Sequence, residues 1–456
     1  MIGDVLLENP AKPLFSDRAL KRLIFPLVIE QLLAVSVGLM DTVMISSLGD
    51  EAISGVSLVD MIMVLIINIF AALATGGAVV AAQFIGASKR ESARGSASQL
   101  IFITFIVSLI FMVLALLFRS QILFLFFSTL EPEVMEAALT YFWISALSFP
   151  FIAVYNCCAA LFRAMGNSKI SMFASLCTNI LNVIGNSIMI FGFKLGVAGA
   201  AAASAFSRFV AMAMLLILLC RKDNIIYISF KERFRPDFRI IKNILGIGIP
   251  NSIESSLFNL GRILVVSIIT SFGTVQIAAN AVANNLDGLG IIPGQAMGLA
   301  VITVIGQCVG VGSEEQIRFY TKKLMRITYA MMAVWNTVIL LTLPLTIRLY
   351  NISEDAYKLS MILVLIHNGM AMLIWPASFT MPNVLKAAND AKFTMCIALF
   401  SMFTFRILLS YIIGLKCCMG AIGVWIAMLV DWFFRSAAFA LRYRGKRWLR
   451  HKVYTK

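Results

Sequence analysis

PLVIEQLLAVSVGLMDTVMISSLG, Pro26 to Gly49, is apolar enough for lipid yet carries two carboxylates, Glu30 and Asp41. On a helix, eleven residues advance roughly 20° past three full turns, so the two acids share a face about 16 Å apart along the axis. A charge at mid-membrane costs about 2.5–3.5 kcal/mol on insertion scales, so that face is expected to look into a bundle or a wet cavity. The stretch recurs. PNSIESSLFNLGRILVVSIITSFG starts at Pro250, with Glu254 in the place of Glu30 and Gly273 in that of Gly49. The same offset of 224 residues sets Gln83 and Gly86 opposite Gln307 and Gly310, Arg94 opposite Arg318, and Gly196 and Gly199 opposite Gly420 and Gly423. Between these, LFRAMGNSKISM (Leu161 to Met172) pairs with VLKAANDAKFTM (Val384 to Met395) one residue out of step. Apolar sequences match leucines by chance, but not prolines, glycines and arginines over such a length. The chain reads as two homologous halves, about 20–225 and 240–445.

Composition supports a membrane setting. With 60% hydrophobic and 13% charged residues in 456, the class is an all-α polytopic membrane protein with no soluble domain left over. The eight cysteines lie mostly in apolar runs without metal-type spacing and read as packing residues. The first 22 residues hold no apolar core and no small-residue cleavage site, so the first span is expected to act as an uncleaved signal. Twelve runs are long enough to cross a bilayer: about 23–47, 53–86, 97–118, 134–160, 171–191, 197–220, 243–271, 276–311, 324–347, 357–383, 394–414 and 419–441. A net charge of +15 invites a nucleic-acid reading, but the basic residues cluster in alternate loops. Roughly 29 Lys and Arg fall on the side of the N-terminus against about five opposite, which places both termini in the cytoplasm of a bacterial inner-membrane protein.

Six spans per half make both halves enter in the same direction, giving two pseudo-symmetric six-helix bundles related by an axis along the membrane normal. The expected organisation is a cytoplasmic leader (1–22), an N-lobe (23–220), a basic, amphipathic cytoplasmic linker (221–242), a C-lobe (243–441) and a basic cytoplasmic tail (442–456).

Asp41 leads the chemical candidates, for a cation or proton role with Na⁺ a possible occupant. Asn179, Asn182 and Asn186 in the fifth span are spaced three and four apart and form one polar stripe, usable as interhelical glue or as site. Glu30 and Gln31 lie near the cytoplasmic end of the first span, and Glu254 repeats Glu30, so the two glutamates read as cavity or gating candidates. Asp60 and Asn284 hold equivalent places, and Asp287 beyond Asn284 is the preferred acid there. His367 and Asn368 are candidates for lining the second bundle, His367 being able to titrate near neutral pH. Asp431 and Arg435, four apart, suggest a local ion pair. Arg208, Arg262 and Arg406 are expected to neutralise buried acids or reach an interface. Pro26, Pro150, Pro250, Pro293, Pro376 and Pro382 fall inside spans and make hinges available.

No Walker A loop, HExxH or partnered Ser or Cys nucleophile is present, which argues against ATP hydrolysis or enzymatic chemistry. Pro26 with GLMDTVMISSLG (Gly38 to Gly49), Gln83 to Gly86, LFRAMGNSK (Leu161 to Lys169) and NVIGNSIMIFG (Asn182 to Gly192) together resemble the multidrug and toxic compound extrusion (MATE) family, in its NorM-like bacterial branch. The resemblance implies twelve helices in two lobes around a cavity. It also implies outward antiport of cationic, amphipathic small molecules driven by Na⁺ or H⁺, with no cofactor and a monomer as working unit. The family's first-helix aspartate corresponds to Asp41, and its fifth-helix asparagines to Asn182 and Asn186. Where the family often has a glutamate in helix 7 this chain has Phe258 and Asn259, and in place of a helix-10 aspartate it has His367 and Asn368. Those departures point the ion site to the N-lobe. The rival reading is a lipid-linked precursor flippase of the same superfamily, which calls for a strongly basic cavity.

Overall fold

The computed structural model describes residues 13–126, 131–229 and 235–450. The first part of the leader (1–12), the middle of the linker (230–234) and the end of the tail (451–456) lie outside the described residues. Among those described, eleven helices are long and apolar enough to span a membrane, and the pair Pro132–Leu147 and Phe149–Ala164, bent by 49°, makes the twelfth. Span 1 is Asp17–Ser46, span 2 Asp50–Gly86, span 3 Arg90–Leu117, span 4 the bent pair, span 5 Ser168–Gly192 and span 6 Gly196–Leu219. Span 7 is Phe238–Thr270, span 8 Thr274–Gly290 with Ile292–Val311, span 9 Glu314–Arg348, span 10 Glu354–Ala387, span 11 Ala391–Lys416 and span 12 Gly420–Arg444. A short helix, Arg119–Phe126, follows span 3.

Spans 1, 9 and 10 start several residues before the apolar stretches that mark them in sequence, because their polar first turns are capped. Ser16 accepts from the Ala19 amide at 3.2 Å, Ser313 from Gln316 at 3.3 Å and Ser353 from Ala356 at 3.4 Å. Acidic residues follow each of these caps, where a helix N-terminus favours negative charge.

The chain forms two compact units, the first covering Phe15–Ser252 and the second starting at Ile253. The opening turns of span 7 belong to the first unit because they pack closely on span 2. A Cβ on Gly76 would come within 2.7 Å of the Gly248 backbone nitrogen, while Asn251 and Ser252 donate to the carbonyls of Ala72 (3.2 Å) and Ile69 (3.1 Å). Small residues that let backbones meet, plus interhelical hydrogen bonds, are what hold helices together where lipid supplies no hydrophobic drive. Within the first unit, span 1 packs on span 5, span 5 on span 6, and span 2 on spans 3 and 4. Phe70, Phe142 and Phe149 fill its core, with Phe70 edge-on to Phe149 at 6.1 Å. In the second unit spans 8, 10 and 12 enclose Leu286, Leu363, Trp375, Trp425 and Trp432.

The described part of the linker has no helix. Ile226 and Ile228 are buried, the Ile226 amide meets Met165 Sδ at 3.3 Å, Arg94 stacks over the Tyr227 ring at 4.1 Å, and Gln99 donates to the Arg235 carbonyl at 2.8 Å. The alternation is that of an extended segment, with isoleucines inward.

The duplication shows in the backbone. Positive φ occurs at Gly49 and Gly273, Ser88 and Gly312, Gly166 and Asn389, Lys194 and Cys418, and Gly196 and Gly420, each pair at corresponding positions of the two halves. Asn351 alone among the described residues lacks a described counterpart, which would be position 127. The return from the one-residue slip between halves has a place in the helices. Span 5 carries one π-helical stretch, Ser187–Gly192, and span 11 carries two, Met402–Leu408 and Ser410–Lys416. A π-turn absorbs an inserted residue without ending the helix. The additional one restores the 224-residue offset that is 223 before it.

Prolines act unevenly. Pro150 and Pro293 start new helices after the breaks in spans 4 and 8, Pro376 opens a π-turn in span 10, and Pro382 stands at the start of the helix after it. Pro26 and Pro250 sit inside continuous helices, as does Pro344.

Candidate functional site

In the first unit Asp41 faces its neighbours in the bundle. Its Oδ1 accepts from Asn186 Nδ2 at 2.7 Å; the same amide group lies 3.2 Å from Asn182 Oδ1, and Asn182 Nδ2 donates to Ser204 Oγ at 2.9 Å. The chain of contacts thus runs from span 1 through two turns of span 5 to span 6. Asn182 and Asn186 are buried, and Asn186 Oδ1 has no hydrogen-bond partner. An unpartnered buried oxygen beside a carboxylate is a ready ligand for a hard cation or a proton carrier. Asn179 behaves differently: it donates to the Leu33 carbonyl at 2.8 Å and ties span 5 to span 1. The polar stripe therefore divides: Asn179 ties to the span 1 backbone, whereas Asn182 and Asn186 join the side-chain contacts between Asp41 and Ser204.

Sequence reasoning passed over part of this cluster. Asp60 of span 2 hydrogen-bonds the buried Tyr141, and Arg208 of span 6 lies within electrostatic reach of both Asp41 and Asp60 while donating to Ser148 Oγ at 2.8 Å. Asp60 was visible as the counterpart of Asn284, whereas Tyr141 and Ser204 carry no sequence signal that separates them from ordinary packing residues. Ser148 is where span 4 breaks, so the proline bend positions an Arg208 partner.

The repeated glutamates form matched ionic ties. Glu30 pairs with Arg163 at 2.7 Å and accepts from Ser171 at 2.6 Å; Glu254 pairs with Lys386 at 3.1 Å and accepts from Thr394 at 3.4 Å. Arg163 and Lys386, and Ser171 and Thr394, are the pairs aligned by the out-of-step segment. Glu254 has a further cation, Arg435, at 3.9 Å. Gln31 is half-buried beside Glu30 and makes no hydrogen bond among the described residues.

In the second unit His367 is enclosed. Its Nε2 lies 2.6 Å from Asp287 Oδ1, its Nδ1 2.8 Å from Asn368 Oδ1, and Trp425 and Trp432 meet its ring edge-on at 5.4 and 4.8 Å. The expected local pair of Asp431 and Arg435 is not formed. Asp431, fully buried, accepts from Ser401 and faces Arg406 at 3.5 Å, while Arg435 turns to Glu254 and over the Phe379 ring at 4.5 Å. Neighbours four apart on a helix pair only when nothing better packs against them, and here span 11 brings a cation to Asp431. Asn284 donates to the Asn280 carbonyl at 2.9 Å and lines a cleft with Arg262 and Arg406. Among the described residues no cluster of three or more His, Cys, Asp or Glu could hold a metal ion.

Twelve spans in two repeated units, with carboxylates and amides held inside the bundles, define a multi-pass membrane transporter. The sequence profile of the MatE family matches this chain twice, over residues 26–188 and 250–412, and the chain belongs to that family, whose members are transporters and not enzymes. The two matches stand in the same offset as the repeat. A full-length relative, the uncharacterized transporter YisQ of Bacillus subtilis, is 27% identical over 97% of both chains. The probable multidrug resistance protein NorM of Thermotoga maritima is 25% identical over 96% of this chain and 94% of its own. A crystal structure of a MATE protein in a bent conformation superposes with a TM-score of 0.86 at 23% identity, covering 94% of each chain, and shares the fold.

Proposed function

We propose that this transporter exports cationic, amphipathic compounds in exchange for H⁺ or Na⁺, with Asp41 as the group that ion and cargo occupy in turn. The observation that carries the reading is the Asp41–Asn186–Asn182 relay, a carboxylate inside the bundle beside an amide oxygen with no partner of its own. A protonated Asp41 keeps its bond to Asn186 but loses its attraction for an organic cation. An ionised one attracts either an organic cation or Na⁺, for which Asn186 Oδ1 and Asn182 Oδ1 supply further oxygen. Alternating exposure follows if the two conformations differ in affinity for ion and cargo at this position, since a ligand drives a change only through such a difference. The Thermotoga maritima relative's name, a probable multidrug resistance protein, agrees with drug-like cargo. The loop-charge asymmetry supports cytoplasmic termini in a bacterial inner membrane.

The test is efflux of a fluorescent cation from proteoliposomes under an imposed pH or Na⁺ gradient. Only one of the two gradients is expected to drive it. Asp41→Asn is expected to abolish driven efflux while leaving the protein monodisperse, because asparagine still accepts from Asn186. Efflux unchanged by Asp41→Asn would end this reading. A second reading, a flippase for a lipid-linked precursor, is favoured by the arginine-lined cleft of the second unit, and product-side appearance of a labelled lipid-linked diphosphate would support it.

A further inference from the structure

A cleft in the second unit differs in charge from the corresponding positions of the first. It is a cleft of ≈ 60 Å³, open on one side, lined by Arg262, Arg406, Asn280, Asn284 and Trp425 among apolar side chains, with no carboxylate on its wall. In the offset between the halves, Asn284 stands where the first unit has Asp60, and Val265, also on the wall, where it has Asp41. Arg406 lies on the span that corresponds to span 5, opposite Asn182 or the residue after it, the π-turn leaving one residue of play. Every acid of the first unit's cluster has thus become neutral in the second, and cations have entered.

The local charges do not cancel. Arg406 has Asp431 and Asp287 as attracting neighbours and Arg262 and Arg435 as repelling ones. Asp431 is engaged by Arg406 and Ser401, Asp287 by His367, and Glu254 by Lys386 and Arg435. Arg262 is exposed and makes no ion pair or hydrogen bond among the described residues, and Arg406 Nε, buried, has no hydrogen-bond partner among them. A guanidinium within a span and without a carboxylate partner is open to a counter-charge. Two guanidinium groups offer the forked donors that oxyanions fit, and Trp425 with Val265 and Met428 offers an apolar seat beside them.

We propose that this cleft binds an oxyanion, phosphate or carboxylate, borne by an amphipathic molecule whose apolar part rests on Trp425 and its neighbours. The site is separate from Asp41, and it stands whether or not Asp41 is the coupling group. Arg262 is the residue to test, because it pairs with no carboxylate and its loss orphans none.

The experiment measures binding to the full-length protein in detergent by calorimetric titration, with dodecyl phosphate, inorganic phosphate and dodecyltrimethylammonium as probes. Arg262→Gln is expected to weaken dodecyl phosphate about tenfold or more and to leave dodecyltrimethylammonium unchanged. Asn284→Asp, which returns the first unit's acid to this cleft, is expected to do the same and serves if Arg262→Gln is not recovered. Asp41→Asn is expected to weaken the ammonium probe alone, so failure of either assignment shows separately. Competition by inorganic phosphate identifies a free oxyanion as ligand; binding of the alkyl phosphate alone identifies the head of an amphiphile. The proposal is overturned if both variants bind dodecyl phosphate within about twofold of wild type, or if both lose the phosphate and ammonium probes alike.

Discussion

Glu30 and Glu254 show how little a residue type says about its task. Each is an acid inside a span, yet each is tied at short range to a cation and a hydroxyl on neighbouring helices. Breaking a buried pair by removing one partner costs about 3–5 kcal/mol, since the other charge is left uncompensated. Glu30→Gln is therefore expected to lower the midpoint of thermal unfolding in detergent strongly, read by loss of the monodisperse peak on heating. Glu30→Gln with Arg163→Gln should recover much of the loss, because no lone charge remains. Gln31→Leu should change the midpoint little. Asp41 lacks such a cationic clamp at contact distance; its contact is the Asn186 amide, which leaves its charge free for use. That difference separates a brace from the carboxylate proposed to carry the ion, and spacing along one helix does not contain it: it depends on which side chains spans 4, 5 and 6 present.

At the scale of the helix, close contact is decided by single glycines. A Cβ on Gly294 would fall 2.1 Å from the Trp375 ring, a rigid neighbour that cannot fold away, whereas one on Gly38 would meet nothing within 4 Å. Gly294→Ala is expected to destabilise by about 1–3 kcal/mol through overpacking, and Gly38→Ala to be near neutral on that ground, both read by thermal unfolding in detergent. All twelve spans were legible in the sequence because apolar runs of sufficient length are a strong signal. The breaks were legible only in part. Pro150 and Pro293 interrupt their spans while Pro26 and Pro250 do not, and what separates them is the packing around each, which one segment of sequence does not encode. The π-turns left only an indirect trace, the one-residue slip between the halves. Of the candidate site, Asp41, Asn182 and Asn186 were readable as polar residues on matching faces. Tyr141 and Ser204 were not, since a tyrosine or serine in a span is ordinary until its partner is known. Asp431 was read with the wrong arginine because the competing one comes from span 11, distant along the chain.

For the whole molecule, the charge count predicts which loops face which side. Cys417 and Cys418 are exposed in the turn between spans 11 and 12, on the side assigned to the exterior. A membrane-impermeant maleimide added to intact cells is expected to label the chain, and Cys417→Ser with Cys418→Ser is expected to remove most of that labelling. Labelling that requires broken cells would reverse the orientation.

The shared left-handed backbone positions carry a practical consequence for engineering. Where the two copies must make one and the same turn, each has already tried a residue that the other has not. Gly312 occupies the turn that Ser88 makes at φ 58°, and Gly166 the one that Asn389 makes at φ 68°. A side chain in that conformation costs of order 1 kcal/mol, so copying glycine across, as Ser88→Gly, should raise thermal tolerance slightly, read by thermal unfolding in detergent. The molecule in this respect holds its own catalogue of tolerated exchanges, with one half as the template for repairing the other.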